Sequence, residues 1–335
     1  MLFLLAAFVC ATGVAVPTDA QSQIILKVPT QSGGPGTPRA DYLVRFQKGV
    51  EKRTNGAIKV RIYWANSLVH AKETLEAVQM GTADMGDLAV GYFSDKIRLL
   101  QVAGLPFAIA DTVESWQGVH RMLEQIPEVR AELTRFGHVI VGKAATASYQ
   151  LVAHHPIRNL ADLKGKKVGT FGRIAPKAIK AGGGIPVSTT GGEMYEALQR
   201  HTIDARILSF EAAQRFKTYE VAKYMSKIEM GCIAGISLLT MNQKKWNSLS
   251  KEQQAIVLDE GDKAGRWEAQ AMKDDDLKFQ TYLKGKGVKI VDFSASDREK
   301  WKNSDGVQRI AGDWAASMEK RGLPGKKALK VFLGT

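Results

Sequence analysis

Residues 58–64 (Ile-Lys-Val-Arg-Ile-Tyr-Trp) alternate apolar and polar positions, the signature of a strand with one buried face. The stretch before them has helical spacing. Tyr42, Leu43, Phe46 and Val50 recur three or four residues apart over 39–53, and Asn55-Gly56 stops that helix. An apolar run at 24–28 reads as a buried strand, joined to the helix by the glycine-rich loop 31–38. Downstream, a helix over 73–80 feeds a strand entered through Asp84-Met85. A long helical pattern at 114–136 is interrupted at Pro127, and 138–141 is a strand. A second series follows: a short helix at 160–165, a strand at 167–171 and a helix at 176–181; after Cys232 the chain returns with an apolar strand at 236–241. A long amphipathic helix over 251–284, a late strand at 288–291 and closing helices complete the chain. Strands alternating with helices predict an α/β architecture with mostly parallel sheets.

One helix-to-strand segment occurs twice. Glu73, Glu76, Ala77, Gln79, Thr82 and Asp84 are matched by Glu193, Glu196, Ala197, Gln199, Thr202 and Asp204, an offset of 193 − 73 = 120 residues. Two unrelated helices need share only an apolar face, and 120 residues far exceeds the ~20–50 of a solenoid repeat. The repeat predicts two lobes on one plan, with a cleft between them where a small ligand binds. The expected division is 23–147 plus about 232–262 for the first lobe and 148–231 plus about 263–335 for the second.

At 335 residues, 44% apolar and 24% charged, the composition is that of an ordinary two-domain globular protein. Residues 1–16 are almost purely apolar, shorter than the ~20 a membrane helix requires, and small residues close the run. Residues 1–20 are therefore read as a secretory signal peptide rather than an anchor, although no Lys or Arg precedes the apolar core. Its removal takes away Asp19, so the net charge of +13 becomes +13 + 1 = +14. It also leaves Cys232 as a lone cysteine, read as a small buried residue rather than a nucleophile. The basic residues are scattered rather than striped on one face, which with export argues against a nucleic-acid partner. Metal and nucleotide chemistry find no motif. His154-His155 are strand neighbours that point apart, and the loop 31–38 lacks the Lys-Ser/Thr of a P-loop, leaving at most an anion cradle at a helix start.

Four stretches together carry a family resemblance: Leu105-Pro106-Phe107; residues 156–168 with Asp162-Leu163-Lys164-Gly165; Glu193 to Asp204; and Tyr219 to Tyr224, followed by 242–249 with Trp246. In this order the chain resembles the extracellular solute-binding proteins of TRAP transporters, of the DctP type. The resemblance implies a periplasmic-binding-protein-like fold, type II-like, with two α/β lobes, a hinge and a long helix spanning both. It implies a periplasmic protein that closes on a small-molecule solute and hands it, unchanged and without a cofactor, to the integral membrane subunits of an ion-driven transporter. A sensing module feeding a membrane receptor, or an exported enzyme using Cys232 or Ser209, are the alternative readings.

The chain departs from the family where the ligand is held. The arginine that usually follows the Asp-Leu-Lys-Gly helix and grips a substrate carboxylate falls on Gly169 here. A second family arginine falls on Tyr149, and an asparagine on Leu208. A hydrogen bond to a charged group contributes about 1.5–3 kcal/mol, so losing the arginine fork costs about 10–100-fold in carboxylate affinity unless another cation replaces it. Arg173 is the first candidate and Arg206 the second. The expected pocket places Tyr149, Phe171 and Leu208 on one side and Gln31 and Leu88 on the other, with Thr190 also facing the ligand and Gly169 leaving room. Such a pocket suits an organic anion with a sizeable apolar part, or a neutral polar solute, better than a simple dicarboxylate.

Overall fold

The computed structural model describes residues 23–233 and 236–335, so the apolar leader expected at 1–20 lies outside the described residues. The first lobe is built on β1 (Ile24–Pro29), β2 (Ile58–Tyr63), β3 (Met85–Ala89) and β4 (His138–Ala145). The chain then builds the second lobe through β5 (Gln150–Ala153), β6 (Lys167–Thr170), β7 (Ile185–Ser188), β8 (Ala205–Leu208) and β9 (Tyr224–Lys227). It returns to the first lobe as β10 (Ile236–Asn242) and adds β11 (Lys289–Asp292) to the second. β10 lies between β3 and β4, and β1 pairs with β2 beside them. The second sheet runs β11-β9-β5-β8-β6-β7.

Strand direction differs from the parallel expectation. β10 runs antiparallel to both its neighbours, and β5 runs antiparallel to β8 and β9. These are the strands that enter or leave a lobe, and a strand arriving from the other lobe needs no right-handed crossover helix. β7 and β9 were not evident in the pattern. β7 carries Pro186 and lies at the sheet edge, where a missing amide is tolerated.

The internal repeat is structural. In each lobe a helix (Thr74–Met80 or Met194–Gln199) is closed by a left-handed residue, Gly81 or His201, and feeds a strand, β3 or β8. The repeated aspartate then clamps the neighbouring strand at both backbone atoms. Asp84 accepts the Lys27 amide at 2.9 Å and its own amide donates to the Lys27 carbonyl at 3.2 Å. Asp204 does the same with Lys167, at 2.7 and 2.8 Å. The shared residues are thus those that fix the helix-to-strand turn and its register.

The lobes are joined where β4 leads to β5 and where β9 leads to β10. The two crossings pair with one another: the Tyr149 amide donates to the Gly231 carbonyl at 2.9 Å, and the Met230 amide to the Tyr149 carbonyl at 3.0 Å. Gly231 has φ +82°, and a Cβ there would lie 2.7 Å from the Ile109 carbonyl oxygen, so the position requires glycine. The motif residue Phe107 donates its amide to the Met230 carbonyl at 2.7 Å and stacks edge-on against Trp301 at 5.7 Å. The third link is the helix Lys251–Asp274, opened by a capping box on Ser250 and Gln253. Val257 and Ala264 sit in the first lobe's core, and Met272 in the second's. The long pattern at 251–284 is in fact two helices, breaking at Asp275 before Asp276–Gly285. The last helix, Gly325–Leu333, packs on the helix Asp305–Glu319. It also lies against the first-lobe helix Thr112–Gln125, where Arg121 donates to the Val331 and Phe332 carbonyls at 3.0 and 2.8 Å.

Candidate ligand-binding site

The repeat plan brings the C-terminal ends of β3 and β8 to face each other across the cleft, with β6 beside β8. Between them lies a cavity of about 60 Å³, several times the ~10–15 Å³ that one water needs. Its walls are aromatic: Tyr92 from the first lobe, Tyr149 from the crossing, and Phe171 and Phe216 from the second. Phe171 meets Tyr92 edge-on at 6.4 Å and Tyr149 at 6.1 Å. The lobes are shut over it. The Tyr92 hydroxyl donates to Gln31 Oε1 at 3.1 Å and accepts the Gly191 amide at 2.8 Å, and Thr37 Oγ1 donates to Glu211 Oε1 at 2.7 Å.

The polar lining is dominated by arginine. Arg39 pairs with Asp87, which also accepts Thr30 Oγ1 at 2.8 Å. Arg215 pairs with Glu211 at 2.7 and 3.3 Å and lies over the Phe216 ring at 4.3 Å. Arg206 differs from both. It is 1% exposed, and among the described residues only carbonyls accept from it: Gly169 at 2.9 Å, Ile207 at 3.2 Å and Thr189 at 3.4 Å. Its Nε has no partner, and its guanidinium sits 5.1 Å from the Phe171 ring centre. Burial lowers its pKa from the ordinary arginine value, the mark of a cation held without a counter-ion. Behind the cavity, Glu268 on the long helix accepts the Ala145 amide at 3.1 Å and is fully buried, with Oε1 unpartnered. Burial pushes its carboxyl up to about 8.

The structure gathers some of the residues singled out by sequence and scatters others. Gln31, Tyr149 and Phe171 line the cavity. Leu88 faces the core, wholly buried, and its strand neighbours Asp87 and Ala89 face the cavity instead. This is a one-residue parity difference, which in a strand exchanges the two faces. Leu208 is sealed in the second lobe's core with Val152 and Phe210. Thr190 caps the helix start by exchanging hydrogen bonds with Glu193 at 2.7 and 3.3 Å, and lines an outer groove with Asn66 and His70. Arg173 is 63% exposed and pairs with the exposed Asp95, outside the cavity. In the loop 31–38 one amide is already taken: Asp41, from the following helix, accepts from the Gly36 amide at 2.9 Å.

Gly169 does not enlarge the cavity. β6 and β8 pair in register with Gly169 opposite Arg206, and a Cβ at 169 would lie 2.4 Å from Arg206 Cδ. The space left by glycine is filled by the stem of the arginine on the next strand. Sequence reasoning ranked Arg206 second and missed Arg39, Asp87, Tyr92, Arg215 and Phe216. The available signal was the vacancy at 169 together with an arginine two residues beyond the repeated Asp204, but joining them requires strand register.

The family model described as bacterial extracellular solute-binding protein, family 7 (DctP) matches residues 30–308. A solute-binding protein of Albidiferax ferrireducens is 27% identical over 271 residues, covering 78% of each chain. The 2,3-diketo-L-gulonate-binding periplasmic protein YiaO of Escherichia coli (strain K12) is 24% identical over 251 residues, covering 74% of this chain and 75% of its own. Among solved structures, a marine metagenome TRAP solute-binding protein specific for aromatic acid ligands is similar with a TM-score of 0.84 at 21% identity, covering 93% of this chain and 98% of that one. A Bordetella pertussis extracytoplasmic solute receptor binding pyroglutamic acid gives 0.82 at 21% identity, covering 93% and 100%. These structural likenesses establish the two-lobed fold, and the family match spans most of the sequence. The chain belongs to the bacterial extracellular solute-binding proteins of family 7.

Proposed function

We propose that this solute-binding protein captures a small organic acid with a flat or apolar body, its carboxylate on Arg206 and its body among Tyr92, Tyr149, Phe171 and Phe216. The observation that carries this reading is Arg206: a guanidinium buried in an aromatic-walled cavity with no carboxylate partner among the described residues. A buried cation left unpaired is strongly unfavourable, and an anionic ligand supplies the missing partner. A bidentate arginine–carboxylate pair is also among the stronger polar contacts available to a binding site. Similar solute-binding proteins with pyroglutamic acid, orotic acid, aromatic acids and benzoate as ligands support the same ligand class.

The solute is released unchanged. Cys232 is buried and its thiol pushed up to about 12, which favours neither nucleophile nor metal ligand. The Ser209 hydroxyl is committed to a helix cap, accepting the Ala212 amide at 3.1 Å. Among the described residues no helix is long and apolar enough to cross a membrane. Family membership and the apolar leader support a periplasmic location and delivery to the membrane subunits of a TRAP transporter.

Titration calorimetry across benzoate, orotate and pyroglutamate, with wild type and Arg206→Gln, tests this reading. At least one acid should bind the wild type, and the variant should lose about 10–100-fold in affinity while keeping its circular-dichroism spectrum. Unchanged affinity in Arg206→Gln contradicts it.

A further inference from the structure

Five charged side chains are buried, or nearly so, at the cavity, apart from Glu268 behind it. Two cations are already matched: Arg39 by Asp87 and Arg215 by Glu211. Asp87 is additionally held by Thr30, and Glu211 by Thr37, so neither carboxylate is free to turn to a third cation. Arg206 remains. The acid whose field reaches it is Glu193, which is exposed and occupied by the Thr190 amide at 2.7 Å. Of these three cations Arg206 is the one with no carboxylate partner among the described residues; the charge of Glu268 acts on Arg39 and Arg215 and not on Arg206.

We infer that the cleft is matched to a single negative charge: it takes a monocarboxylate in preference both to the neutral amide and to a dicarboxylate of the same shape. This inference rests on the organic-acid reading above and adds the charge of the ligand. A neutral analogue leaves Arg206 buried and unpaired. A second carboxylate enters a shut, aromatic-walled cavity whose other two arginines already hold carboxylates, so it is buried without a partner or must break one of those pairs. Arg39 and Arg215 therefore contribute hydrogen-bonding surface but no free charge. A count of arginines alone would have pointed to a dianion.

Shape and charge are separated by paired probes: benzoate with benzamide, terephthalate with its monoamide, and succinate with its monoamide. Each is titrated calorimetrically into the wild type and into Arg206→Gln near neutral pH. The monoanion of each pair should bind about 10–100-fold more tightly than its partner, whether that partner is the neutral amide or the dianion. In Arg206→Gln the preference for benzoate over benzamide should vanish. If benzoate does not outbind benzamide, the organic-acid reading falls and takes this inference with it. If benzoate outbinds benzamide but terephthalate or succinate matches or exceeds its monoamide, the organic-acid reading stands and this inference alone is overturned.

Discussion

Glu268 is the clearest single-residue departure from ordinary surface chemistry. It is wholly buried on the long helix, close enough to Arg39, Tyr42, Glu211 and Arg215 to interact with them electrostatically, and has one oxygen on the Ala145 amide. Between the usual carboxylate range and about 8, the folded chain keeps a proton on Glu268 that the unfolded chain has released. Its contribution to stability is therefore intact in acid and lost as pH rises through that window. Chemical denaturation of wild type and Glu268→Gln from about pH 5 to about pH 8.5 should show the wild type falling relative to the variant as pH increases. Parallel curves would mean that Glu268 is ionised throughout. None of this was legible in the sequence, where Glu268 is one acid among many on an amphipathic helix. Leu88 teaches the same lesson at smaller scale: the strand was readable, but which of two alternating faces meets the cleft depends on its partner β10.

At the scale of elements, the rung between β6 and β8 governs the site. Gly169 and Arg206 are register partners, and the glycine exists so that the arginine's stem can pass. Gly169→Ala places a methyl 2.4 Å from Arg206 Cδ, so it should displace the guanidinium and weaken organic-acid binding. The two positions should also couple: Gly169→Ala should have little further effect in an Arg206→Gln background, a non-additivity that calorimetry on the four-member cycle measures. Additive losses would show that the two side chains act separately. The vacancy at 169 was readable from the Asp-Leu-Lys-Gly motif, and so was an arginine just beyond the repeated Asp204. That they fill one another is a property of strand pairing between segments 37 residues apart (206 − 169), which no local pattern encodes. The repeat itself was fully legible, because Asp84 and Asp204 each clamp a neighbouring strand and so are held by geometry.

For the whole molecule, two lobes shut over the cavity through contacts that include Tyr92 to Gly191, Thr37 to Glu211, and the exposed pair Arg173–Asp95. The first two place buried or partly buried polar groups against one another, and the third is an exposed ion pair of the kind that contributes about 0–1 kcal/mol. A ligand that bridges Arg206 to the first-lobe wall adds to this closure and so shifts the population toward the shut form. Small-angle scattering should show a smaller radius of gyration with benzoate or another bound acid than without, and Tyr92→Phe should reduce affinity by removing the hydroxyl that links Gln31 to Gly191. An identical profile with and without a bound acid would contradict hinged capture. The two-lobed plan was legible from the repeat alone. The return of the chain to the first lobe after 232 was legible as well; the place of β10 between β3 and β4 and the contact of the last helix with Thr112–Gln125 were not, since both are long-range packing choices.

The central claim is that Arg206 is the ligand's counter-ion. A crystal structure of the protein with a bound organic acid tests it most directly. The account predicts the carboxylate within hydrogen-bonding distance of the Arg206 guanidinium, with the ligand's body against Tyr149 and Phe171. A carboxylate seated instead on Arg173, or in the outer groove beside Thr190, would contradict it.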